Sequence, residues 1–322
     1  MKANGRVAVL TAPQSARIEA RPLPQIGPRQ VRVRLEGCGV CGSNLPVWEG
    51  RPWFTYPFDG GAPGHEGWGR VDEVGSEVNS VRAGDRVAVL SYHAFADYDV
   101  AEESSLARSP PSLDGQPFPG EALGCAMNVF ERCDIRREHT VAIVGIGFMG
   151  ALLTRLASAA GARVIAISRR SFALEIASRM GAAETIPLAE SAQTVAAVLE
   201  LTGGVGCERV IEATGLQGPL NLAGELTAER GRLVIAGYHQ DGLRQVNLQL
   251  WNWRGLDVIN AHERDQRKYV DGMRSAIAAV EAGRLDPAPL YTDAFKLDEL
   301  PRAFGQMHDR NGRFLKSILV YD

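Results

Sequence analysis

The sequence predicts an α/β protein in which an all-β domain precedes a doubly wound parallel sheet, and three observations predict it. An apolar, β-branched run at 140–144 leads directly into G-x-G-x-x-G at Gly145, Gly147 and Gly150. Leucines and alanines at helical spacing over 152–160, then a second apolar run at 162–167 reached through Gly161, complete a strand–turn–helix–strand unit. Before them, residues 7–10, 16–19 and 30–36 are short alternating runs divided by Pro and Gly, the pattern of half-buried strands.

Taken in order, the β pattern breaks at 37–44 (GCGVCGSN) and gives way to Trp48, Trp53, Phe54, Tyr56 and Phe58 set among Pro and Gly. Together these rings favour a pocket lining, although any one of them would serve equally as a plug for one end of a barrel. Further strands follow at 69–74, 84–89 and 94–100. Four prolines make 108–120 a covering loop, and a helix over 121–133 crosses into the second domain. Strands at 209–213 and 232–236 continue the βα alternation, an amphipathic helix covers 269–281, and an apolar strand at 314–321 returns to the first domain. The expected boundaries are 1–125 completed by 262–322 for the β domain and 126–261 for the parallel sheet.

At 322 residues and 45% hydrophobic, the chain can bury the cores of two domains. A net charge of -3 with scattered Lys and Arg gives no basic stripe for nucleic acid. No apolar run approaches the length of a membrane span and the first residues lack a signal-peptide core, so no membrane partner and a cytoplasmic location are expected. Five cysteines, an odd number, do not suggest a disulfide framework.

The candidates for chemistry follow from residue type. Cys41, His65, Glu66 and Glu121 offer the sulfur, nitrogen and oxygen donors that a catalytic zinc takes in sets of three, with a further position left open. In the glycine-rich turn, Gly145 permits the tight bend, Gly147 the approach of a pyrophosphate, and Gly150 the close packing of helix on strand, with Phe148 and Met149 opening the helix that faces the anion. The second strand ends Ser168-Arg169-Arg170, with no carboxylate to accept the adenosine ribose hydroxyls. Two permanently charged, planar guanidinium groups there suit a 2′-phosphate, so NADP(H) is expected in preference to NAD(H).

These motifs, G-V-C-G-S at 39–43, G-H-E-G at 64–67, A-G-D-R-V at 83–87, E-A-L-G-C at 121–125 and G-I-G-F-M-G at 145–150, resemble those of the zinc-containing medium-chain dehydrogenase/reductase family, in order and spacing over essentially the whole chain. The resemblance implies a GroES-like β-barrel catalytic domain joined to a Rossmann domain, with the active site in the cleft between them. It implies an alcohol, polyol or sugar dehydrogenase working on a small-molecule alcohol or carbonyl as a homodimer or homotetramer. Carried over by position, Cys41 and His65 resemble zinc ligands and Glu121 the third ligand. Glu66 resembles the neighbouring glutamate that can swing onto the metal, Ser43 the hydroxyl that takes the substrate proton, and Lys316 a cationic pyrophosphate contact.

The departures carry information too. Residues 85–110 hold no cysteine, so one catalytic zinc and no structural zinc are expected. Asn44 stands where the family usually has the aspartate that orients the ligand histidine, and Pro46 where alcohol dehydrogenases end a proton relay on histidine, which leaves His93 and Glu49 as exits. Cys38, Cys125, Cys133 and Cys207 read as structural. Arg51, Glu49, Asn128 and His262-Glu263-Arg264 could address hydroxyl groups, which leans the substrate towards a polyol, cyclitol or sugar. The competing functions are a zinc-independent enone or quinone reductase on the same fold and a non-catalytic dinucleotide-binding protein.

Overall fold

The computed structural model describes residues 4–310 and 312–321. The chain divides into two compact units, one running up to Cys125 and resuming at Arg264, the other spanning Ala126–Glu263.

The first unit is built on a seven-stranded sheet. In spatial order it contains Tyr291–Phe295, Lys316–Val320, Gln30–Gly39, Glu66–Val74, Arg86–Val89 and Leu106–Arg108, with Tyr98–Glu102 also paired to Gln30–Gly39. A separate antiparallel hairpin, Asn4–Ala12 with Ser15–Pro22, precedes it. In Gln30–Gly39 the apolar residues Val31, Val33 and Leu35 point inward at every second position, while Arg32 on the opposite face pairs with Asp72 and Glu73. Val71, Val87, Val89 and Phe95 join those residues in one core cluster.

Two strand registers position the chemistry. Gly39 lies opposite Glu66 in one antiparallel pair and opposite Ile318 in another. The turn that follows Gly39 and carries Cys41 is thereby brought beside His65-Glu66 and beside the start of the last strand, where Lys316 sits. The end of the chain therefore contributes to a centre formed by residues near its beginning.

The aromatic segment does not line a pocket as the sequence suggested. Trp48 is 6% exposed and stacks on Phe304 of the helix Leu300–Asp309, with ring centroids 4.8 Å apart and planes 11° from parallel. Phe54, Tyr56 and Phe58 pack against the same core and touch one another edge-on or tilted. Only Trp53 of the five rings is largely exposed, at 53%. The rings follow the apolar interior because burying an aromatic surface stabilises more than pointing it at a hydrated opening.

The second unit is a six-stranded, wholly parallel sheet in the spatial order Glu184–Pro187, Arg163–Ser168, Thr140–Val144, Cys207–Glu212, Thr227–Ile235 and Asp257–Asn260. Counted along the chain this is 3-2-1-4-5-6, the doubly wound order, whose switch point lies between the strands ending at Val144 and Glu212. Thr140–Val144 and Arg163–Ser168 are buried almost throughout, as strands covered on both faces must be. The helices Phe148–Ala159, Ser171–Arg179, Ser191–Leu201, Gln217–Leu226 and Leu248–Trp253 lie on the five crossovers. Among the described residues no helix is long and apolar enough to cross a membrane.

Replacing Trp48 by Ala removes the ring stacked on Phe304 and leaves a cavity at the centre of the first unit. We expect a loss of about 3–5 kcal/mol in unfolding free energy, read by denaturant titration, because the surrounding core collapses only in part.

Candidate active site

In the first unit Cys41 caps the short helical turn Gly42–Asn44, and Ser43 Oγ donates to Cys41 Sγ at 3.2 Å. His65 Nδ1 lies 2.9 Å from the Pro63 carbonyl oxygen. A carbonyl only accepts, so Nδ1 carries a proton and Nε2 is the nitrogen left to bind a metal in exchange for a proton. The amide of Asn44 does not touch the ring. Its Nδ2 donates to the same Pro63 oxygen at 3.2 Å, so the imidazole is oriented by backbone rather than by the side chain expected to do so.

Donor atoms of Cys41, His65 and Glu66 all lie within 4.8 Å of one another. Glu66 is fully buried, and Lys316 Nζ donates to its Oε1 at 2.6 Å and approaches its Oε2 at 2.5 Å. Oε2 has this ionic contact but no hydrogen bond, which leaves it a lone pair for a cation. Gly39 makes room for that carboxylate, since a Cβ there would fall 1.8 Å from Oε2. Lys316 is itself 5% exposed. The sequence reading gave this ammonium to a pyrophosphate; its partner in the structure is Glu66, because an unneutralised carboxylate at that depth would carry a heavy desolvation cost.

Glu121 stands in the first turn of the helix Gly120–Cys133 and does not belong to the tight group of three. It is nevertheless close enough to act on His65, and burial, with Glu66 nearby, holds its carboxyl above the usual range. Cys125, one helical turn on, donates its thiol to Glu121 Oε1 at 3.1 Å. That contact gives Cys125 a place beside the centre which its reading as a structural cysteine missed. Burial alone would lower the pKa of His65, but the Cys41 sulfur and the Glu121 and Glu66 carboxylates raise it to about 10. The centre therefore attracts positive charge beyond what Lys316 supplies. A thiol, an imidazole nitrogen and buried carboxylates are the donor set that zinc prefers, so the residues present fit that metal.

Around this centre, Tyr92 lies nearly parallel to His65, with ring centroids 6.4 Å apart, and His93 meets Tyr92 edge-on. Glu49, the other proposed proton exit, is engaged by Arg51 at 3.0 Å and by His308 at 3.7 Å. All five cysteines are free thiols.

In the second unit the glycine-rich turn has the geometry its spacing requires. Gly145 adopts φ +102°, open to glycine but strained for other residues, and a Cβ on Gly150 would fall 2.0 Å from the Gly145 oxygen. Gly147 precedes Phe148–Ala159 without a side-chain cap, and a Cβ there would meet nothing within 4 Å. Helix N–H groups and open space are what a pyrophosphate needs. Ser168 ends the second strand, Arg169 is exposed, and Arg170 reaches across the turn to donate to the Ile146 oxygen at 3.4 Å. Ser168, Arg170 and the glycine-rich turn are thus in contact.

Comparisons with known proteins agree with this geometry. An alcohol dehydrogenase GroES-like domain model matches residues 27–152, and a zinc-binding dehydrogenase model matches residues 148–276. The sorbitol dehydrogenase of Homo sapiens is 26% identical over 356 residues, covering 100% of this chain and 97% of that protein. The L-threonine 3-dehydrogenase of Bacillus subtilis is 25% identical over 338 residues, covering 93% of each. A zinc-binding dehydrogenase from Sinorhizobium meliloti, solved with NADP bound, superposes with a TM-score of 0.85 at 23% identity, covering 99% of this chain and 100% of that one. With a barrel domain, a doubly wound domain and a zinc-type donor cluster matched along most of its length, this chain belongs to the zinc-containing medium-chain dehydrogenase family, the alcohol dehydrogenases that act on CH–OH groups.

Proposed function

We propose that the protein is a zinc- and NADP(H)-dependent oxidoreductase interconverting a secondary alcohol and a ketone, with a polyol, cyclitol or sugar as its substrate. The observation that carries this reading is the convergence of Cys41, His65 and Glu66 donors within 4.8 Å. Support for the polyol class comes from the kinship with sorbitol dehydrogenase, since four of the five rings at 48–58 pack against the core and do not argue for it. The five free thiols support a cytoplasmic location.

When bound, one zinc supplies Lewis acidity at the substrate oxygen and the nicotinamide gives or takes the hydride. The rest is the work of this chain. Cys41 and His65 hold the metal together with Glu66 or Glu121, and Pro63 fixes the ring of His65 so that Nε2 faces inward. Lys316 neutralises Glu66 and so lowers the cost of keeping a second anion beside Cys41. The Ser43 hydroxyl uses its hydrogen on Cys41 Sγ and keeps its lone pairs to accept a hydrogen bond from a substrate hydroxyl. Gly145, Gly147 and Gly150, with Phe148 and Met149, receive the pyrophosphate. Ser168 leaves room for a 2′-phosphate, and Arg169 and Arg170 pair with it.

Assembly into a homodimer or homotetramer is part of the proposal. It is supported by the open edge strand Asp257–Asn260 and by the apolar surface before it, where Leu243, Leu248 and Trp253 are 100%, 66% and 81% exposed.

Three outcomes are expected. Cys41→Ser and His65→Ala each lose zinc, by elemental analysis, together with turnover on a panel of polyols and ketones; zinc loss with turnover intact would favour a metal-independent reductase. The wild type has a higher kcat/KM with NADPH than with NADH, and the Arg169→Ala, Arg170→Ala double variant lowers the NADPH value by about tenfold or more, each lost charge-assisted contact being worth ~1.5–3 kcal/mol. An unchanged preference would remove these arginines from phosphate recognition. Light scattering at micromolar concentration gives at least twice the monomer mass; a monomer there would reject the assembly.

A further inference from the structure

Glu212 is the last residue of the fourth strand of the parallel sheet and is fully buried. Its Oε1 accepts from the backbone N–H of Thr214 at 2.7 Å and of Gly215 at 3.1 Å, and from the Thr214 hydroxyl. Its Oε2 lies 2.7 Å from His239 Nε2. Arg244 Nε donates to His239 Nδ1 at 3.0 Å, and its Nη2 donates to the Gly215 oxygen at 3.0 Å and pairs with Asp241. Arginine has only donors, so His239 Nδ1 must be the unprotonated nitrogen and Nε2–H the donor to Glu212. The ring is a neutral bridge with its tautomer fixed from both sides.

This network ties the loop after the fourth strand to the segment after the fifth. Residues 236–247, which follow the fifth strand, have no regular secondary structure, and the stretch 240–247 is largely exposed, so polar contacts of this kind define its path. A Cβ on Gly237 would fall 2.2 Å from the Gly215 nitrogen, and one on Gly145 would fall 2.3 Å from Thr214 Cγ2. The two loops therefore pack on each other, and the first of them on the glycine-rich turn, at the point where the strand order reverses and doubly wound sheets bind their ligand. The first three strands form the half that takes the adenosine end of a dinucleotide, and the last three form the half that takes the other mononucleotide.

We propose that His239 is a positioning residue for the nicotinamide half of the cofactor, holding the segment after the fifth strand in its binding shape through Glu212 and Arg244. The proposal rests on the reading of Ala126–Glu263 as a dinucleotide-binding unit. Glu212 and Thr214 are bonded locally and persist without the histidine, whereas the segment 238–246 keeps the ties of Arg244 to the Gly215 oxygen and of Gln245 to Gln217 and loses the one nearest the strand ends. Loss of the ring therefore weakens recognition at one end of the cofactor only.

The test is a fluorescence or calorimetric titration of wild type, His239→Leu and His239→Gln with two probes: NADPH, and adenosine 2′,5′-bisphosphate, which carries the adenosine end alone. His239→Leu is expected to weaken NADPH about tenfold, the equivalent of one hydrogen bond to a charged group, and to leave the bisphosphate affinity unchanged. His239→Gln retains a donor for Glu212 and restores most of the NADPH affinity. Equal weakening of both probes would show a general loosening of the unit and overturn the proposal, as would an NADPH affinity that does not move. If the wild type prefers NADH, the same comparison is read with NADH and AMP. A wild type that binds neither dinucleotide would overturn the oxidoreductase reading itself.

Discussion

The register at Gly39 is the constraint on which the catalytic centre depends. One backbone position pairs with Glu66 on one side and with Ile318 on the other, and three stretches of chain converge because of it. A one-residue slip in either pairing would turn Glu66 or Lys316 to the opposite face of the sheet, since side chains alternate with a period of two. The core favours that register: Val31, Val33 and Leu35 face the interior in this alignment, and a one-residue slip would turn them outward. Packing far from the chemistry thereby sets the distances between its donors.

What converges is a set of ionisable groups in a poorly hydrated place. Glu66 and Glu121 are buried close to Cys41, with one ammonium and one imidazole beside them, and the sulfur and the carboxylates raise the pKa of His65. Such a cluster is costly to assemble unless a cation completes it, and Lys316 meets only part of that demand. The two tethered carboxylates, one held by Lys316 and one by Cys125, are two oxygen donors with separately controlled positions.

The second unit solves the opposite problem. Glu212 is as buried as Glu66, yet it is fully answered by local N–H groups, a hydroxyl and an imidazole, so it asks for no ligand. Its role is to stiffen loops that would otherwise lack apolar anchors. The two carboxylates are equally deep and differ in their partners: a lysine ammonium answers Glu66, and a set of local donors answers Glu212.

The sequence by itself determined the features whose physical cause is local. The glycine-rich turn, the alternation of strand and helix after residue 140, the alternating strands before it and the missing acid at Ser168 are each written within a window of a few residues, because turn geometry, periodicity and side-chain charge are local properties. Cys41 and His65 were legible as donors from residue type and motif. Only the tertiary structure decided which groups answer them. Lys316 lies 250 positions from the glutamate it neutralises, the Pro63 carbonyl holds the ring of His65 while Asn44 stands at the family's orienting position, and four of the five rings at 48–58 pack on a core. Glu212 and His239, 27 positions apart, share a hydrogen bond because adjacent parallel strands end side by side. Such pairings depend on strand register and on competition for a shared interior, and no local pattern in the chain encodes either.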